Sequence, residues 1–99
     1  MKEASLKEVQ ILITEECNRV RDLLIDKNQK YGNSAISPKR IFSKCEPKEQ
    51  IKVRIDDKLS RIQNKSSSDF EEDEDVLLDL IGYLILLRVA ERVSNGEEL

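Results

Sequence analysis

The sequence predicts an all-α protein: a compact bundle of three main helices, with a long ordered loop between the first and second, assembled into an oligomer. Three observations predict it. Apolar residues recur at helical spacing in three separate stretches. Helix start and stop residues flank those stretches. The composition is aliphatic, with 38% hydrophobic and 37% charged residues, only four aromatics, and neither Trp nor His. A chain of 99 residues is enough for one domain with a modest core, so a single helical domain over 1–99 is expected.

The first helix is expected over about residues 5–30. Ser5 with Glu8 three positions later is a capping-box signature. Leu6, Val9, Leu12, Ile13, Cys17, Val20, Leu23 and Leu24 recur at helical spacing, with Cys17 read as a small core residue. Gly32 and Asn33 suit the turn that ends it. Residues 31–46 form the loop, bounded by Pro38 and Pro47, with Ile41 and Phe42 expected to anchor it to the core. Loops of that length are often functional.

The second helix is expected over 47–64, with Pro47 in its first turn and an apolar stripe of Ile51, Ile55, Leu59 and Ile62. The third is expected over about 72–93. Its acidic start complements the helix dipole, and Asn95-Gly96 ends it. From Val76 to Leu87 it reads VLLDLIGYLILL, apolar on more faces than two neighbours cover, so self-association is expected. That run is too short to span a bilayer.

Charge is unevenly placed. Residues 39–65 carry nine Lys or Arg and four acids, whereas residues 69–79 carry seven acids and no base. The basic segment suits phosphate groups and the acidic one suits a divalent cation. Nucleic-acid binding is not expected, because the net charge is −3 and no basic run is interleaved with aromatics. The lack of His excludes imidazole-based acid–base catalysis and imidazole metal sites. Cys17 and Cys45 have no metal or disulfide-framework spacing, and residues 1–10 are polar, so a cytoplasmic protein is expected.

Asp79 is the residue that most needs a partner. An ionised carboxylate in an apolar helix is costly unless paired, hydrogen-bonded or bound to metal. Asp75 lies one turn earlier on the same face. Together with Asp57 of the second helix, these carboxylates are candidate ligands for Mg²⁺. The alternatives are that Asp75 serves the helix start and that Asp79 pairs with Arg54, Lys58 or Arg61. Arg54, Lys58, Arg61 and Lys27 are candidate phosphate contacts, and Tyr31 and Asn33 candidate contacts to base or sugar. For the basic residues the alternative is a solvated helix face; for Asn33 it is turn chemistry.

The blocks KNQKYGNSAISPKRIF, QIKVRIDDKLSRIQN and EDEDVLLDLIGYLILL, taken in order, resemble the phage and bacterial nucleotide modification associated domain family, first type. Roughly residues 20–92 carry the likeness. The resemblance implies a role in nucleotide metabolism or DNA-base modification, in the host cytoplasm if the chain is phage-encoded. It extends distantly to MazG-like all-α nucleotide pyrophosphohydrolases, which bind Mg²⁺ through ExxE and ExxD pairs on successive helices. Glu72 and Asp75 match an ExxD, with Asp79 one turn later. The second helix offers Asp56 and Asp57 as DDK in place of ExxE. By this likeness Asp57, Glu72, Asp75 and Asp79 would be metal ligands, and Asp57, Asp75 and Asp79 catalytic. The alternative function is a non-catalytic nucleotide binder or sponge, for example of a host-defence signalling nucleotide.

Overall fold

A computed structural model of the chain describes residues 3–38, 41–64 and 75–97. Those residues form three helices, α1 (Leu6–Tyr31), α2 (Pro47–Asn64) and α3 (Val76–Ser94), and no strand. The chain divides into two compact units, Met1–Gly32 and Asn33–Leu99. The division falls at the helix stop that ends α1.

In the first unit, the Ser5 hydroxyl accepts a hydrogen bond from the Glu8 amide at 3.1 Å, which caps the start of α1. Gly32 ends the helix at φ +64°, a conformation that a side chain would strain. The Asn28 amide closes the same turn by donating to the Gly32 carbonyl at 3.2 Å. Val20 is buried, but Leu6, Val9, Leu12 and Ile13 are exposed. Cys17 is also exposed, so its expected core role is not realised. It shares the apolar stripe of α1, yet a helical stripe fixes a direction and not a covering partner.

In the second unit, the described residues before α2, 33–38 and 41–46, carry local hydrogen bonds. The Asn33 carbonyl accepts from the Ile36 and Ser37 amides at 3.0 and 2.7 Å. Ser43 Oγ accepts from the Cys45 amide at 3.2 Å. Ile41 and Phe42 do not anchor this loop: they are 78% and 98% exposed. Turn chemistry close in sequence holds the backbone, and the two apolar side chains are left in solvent.

Pro47 opens α2, where its missing N–H costs nothing. Ile51 is buried, and the exposed flank carries the pairs Glu49–Lys52 and Asp57–Arg61. The start of α3 differs from the expected one near residue 72. Asp75 stands outside the helix as its N-cap, with its carboxylate accepting from the Leu78 amide at 2.9 Å. An acidic run reads as a first helical turn in sequence, but an Asp whose oxygen bonds the amide three residues on favours the cap over the helix. Residues 72–74 lie outside the described residues.

α2 and α3 pack against each other, burying Ile51 on one and Val76, Gly82 and Ala90 on the other. The C-terminal end of α3 closes as a Schellman turn. The Glu97 amide donates to the Arg92 carbonyl, and the Gly96 amide to that of Val93, with Gly96 at φ +70°. The Arg92 guanidinium donates to both carboxylate oxygens of Glu97. These hydrogen bonds hold the Glu97 carboxyl below its ordinary range and raise the Arg92 guanidinium above its own. No helix among the described residues is long and apolar enough to cross a membrane.

Candidate functional site

The seam between α2 and α3 carries the buried charge. Lys58 lies in the last two turns of α2, and Asp79 in the first turn of α3. Their Nζ and Oδ2 atoms are 3.2 Å apart, with the side chains 10% and 25% exposed. This end-to-start contact is the placement of a helical hairpin. The sequence dictates it in two steps. Lys58 falls one turn after Ile55 and two turns after Ile51 on the inward stripe of α2, and Asp79 falls one turn after buried Val76 on α3. Each then needs an opposite charge, and each finds the other.

Arg54, Lys58 and Arg61 stand at i, i+4 and i+7 and form one row along α2. Lys58 turns into the seam, while Arg54 and Arg61 remain exposed before and after it. Arg61 pairs with Asp57 at 3.4 Å on the same helix. Arg54 makes no ion pair with any described residue. Two Arg forks seven residues apart are separated by about 10 Å along the axis, within reach of one polyphosphate tail.

The other candidates belong to other segments of the chain. Lys27 and Tyr31 are exposed on α1, in the first unit, and Asn33 is exposed where its carbonyl holds the turn after α1. Glu72 lies outside the described residues. The structure therefore brings together Lys58 with Asp79 and Asp57 with Arg61. Of the alternatives weighed from sequence, Asp75 serving the helix start and Asp79 pairing with Lys58 are the ones the coordinates contain.

As placed, Asp57, Asp75 and Asp79 do not offer a magnesium ion a ligand cluster. One faces Arg61, one caps α3 and one faces Lys58. Among the described residues no group of three His, Cys, Asp or Glu side chains could hold a metal ion. Nor does any buried side-chain nitrogen or oxygen there lack a hydrogen-bond partner. The arrangement is suited to gripping an anion along the Arg row, with its one buried cation already neutralised. The Arg92–Glu97 pair was the feature sequence reading passed over; its signal was the Gly96 stop, which folds Glu97 back over the last turn.

Comparison with family models, with curated proteins and with solved structures finds no match to this chain.

Proposed function

We propose that the chain is a nucleotide-binding protein that grips the phosphates of its ligand along the row Arg54, Lys58 and Arg61 and releases the ligand unchanged. One observation carries the reading: the row lies on one stripe of α2, and Arg54 is exposed with no ion pair among the described residues. Arg is the side chain best matched to phosphate oxygens, because its planar fork donates two parallel hydrogen bonds. The resemblance to the nucleotide modification associated domains supports a nucleotide over other phosphorylated ligands.

Binding without turnover is preferred because Asp57, Asp75 and Asp79 are each engaged elsewhere. Lys58 contributes a fixed buried charge behind the row, and Asp79 offsets it. The ligand thus meets two exposed guanidinium groups and, among the described residues, no uncompensated buried cation.

The test is a thermal-shift panel of ribo- and deoxynucleoside mono-, di- and triphosphates, with and without Mg²⁺, followed by chromatography of the nucleotide. The reading expects a rise in melting temperature that grows with the number of phosphates, and intact ligand afterwards. It expects Arg54→Glu with Arg61→Glu to abolish the rise. No shift with any nucleotide would end the reading. Release of phosphate or pyrophosphate with Mg²⁺ would replace it with the pyrophosphohydrolase reading, in which Asp57, Asp75 and Asp79 exchange their present partners for metal.

A further inference from the structure

Asp57 stands between the two exposed guanidinium groups of the α2 row. It lies three residues after Arg54 and four before Arg61, so along the axis it is roughly midway between them. It is exposed on the flank of the row that turns away from buried Ile51 and Lys58. Its Oδ2 atom is 3.4 Å from Arg61 Nε, whereas Arg54 makes no ion pair with any described residue. The two forks thus differ at rest. One is open, and on the other a carboxylate oxygen sits where a phosphate oxygen would.

The contact opens readily. The Lys58–Asp79 pair is largely buried, but Arg61 and Asp57 keep 44% and 57% of their side chains in solvent. An exposed i, i+4 pair is closed only about twice as often as it is open. A phosphate brings more charge and three acceptor oxygens, so a tail anchored at Arg54 displaces the carboxylate. The displacement still has a cost. A ligand that needs Arg61 open binds about threefold more weakly than it would without the competitor. A single phosphate held at Arg54 leaves the pair intact; a tail that reaches along the row breaks it.

We propose that Asp57 is an internal competitor for the phosphates, which closes Arg61 until a polyphosphate tail anchored at Arg54 takes it over. The inference rests on the nucleotide reading above and concerns how that site is regulated. The experiment titrates a deoxynucleoside triphosphate, without metal, into the full chain and its variants, with helical circular dichroism checked for each. Asp57→Asn should tighten binding about threefold. Glu91→Gln removes the same charge from an exposed residue of α3 that has no ion pair among the described residues, and should leave the affinity nearly unchanged. In an Arg61→Gln background the gain from Asp57→Asn should shrink, because no fork is left to release. Equal affinities for the parent and Asp57→Asn would overturn the proposal. So would a gain that Glu91→Gln reproduces, or one that persists in full without Arg61, since either marks a general charge effect. A parent and an Asp57→Asn variant that both bind no nucleotide would end the nucleotide reading, and the proposal with it.

Discussion

Lys58 and Asp79 illustrate how a single apolar pattern can imply a charge pair. Each occupies an inward position that its helix periodicity reserves for an aliphatic residue, and each is stabilised there by the opposite charge of the other. Asp79→Asn would leave Lys58 charged and largely desolvated. The expected loss is about 2 kcal/mol, below the cost at a fully dry site because Asp79 keeps a quarter of its side chain in water. Replacing both residues together, Lys58→Met with Asp79→Leu, should restore stability to within about 1 kcal/mol of the parent. Urea midpoints of the two single variants and the double variant measure this as a cycle. An unchanged midpoint for Asp79→Asn would show that the pair contributes nothing. The need for a partner was legible in the run VLLDLIGYLILL. Which cation answered it was not, because Arg54, Lys58 and Arg61 share one row and only the packing angle of α2 selects the middle one.

Glu97 supplies the pH-dependent feature. Hydrogen bonds from Arg92 hold its carboxyl below the ordinary range. A lowered folded value means that the stabilisation is in place above the ordinary Glu range and fades as pH falls through the lowered value. A carbon-13 NMR titration of the Glu97 carboxyl should show its midpoint below the ordinary Glu value. Arg92→Gln should move it upward; a midpoint already at the ordinary value in the parent would contradict the contact.

The helices themselves were largely readable, because each carries punctuation with a physical mechanism. Ser5 caps α1, Pro47 opens α2, and Gly32 and Gly96 take the positive φ that ends α1 and α3. The start of α3 differs from the expected one for an equally local reason. Asp75 reads as part of an acidic first turn, yet it works as the cap. Asp75→Ala and Ser5→Ala should each cost about 1 kcal/mol, in the second and first units respectively. Hydrogen exchange at the amides of Leu78 and Glu8 checks them, since those amides lose their acceptors. Equal protection before and after substitution would show that the caps are dispensable. Tertiary burial was less legible than secondary structure. Cys17, Ile41 and Phe42 are apolar enough to be core, and all three are exposed. A stripe or an aromatic residue in a loop states what could be buried, and only a second surface decides what is.

At the scale of the whole molecule, the described parts of the basic and acidic segments meet where α2 packs on α3, with the Lys58–Asp79 ion pair in the seam and exposed Arg54 and Arg61 on α2 beside it. The proposal of anion capture rests on that arrangement, in which Asp57, Asp75 and Asp79 serve charge pairing and helix geometry.

The direct test of nucleotide capture is isothermal titration of a deoxynucleoside triphosphate, without metal, into the parent chain, Arg54→Glu, and Lys7→Glu as a charge-matched control. The account predicts saturable one-site binding to the parent, at least tenfold weaker binding to Arg54→Glu (about 1.4 kcal/mol), and an affinity that falls as salt is raised. Equal affinities for the parent and Arg54→Glu would contradict it.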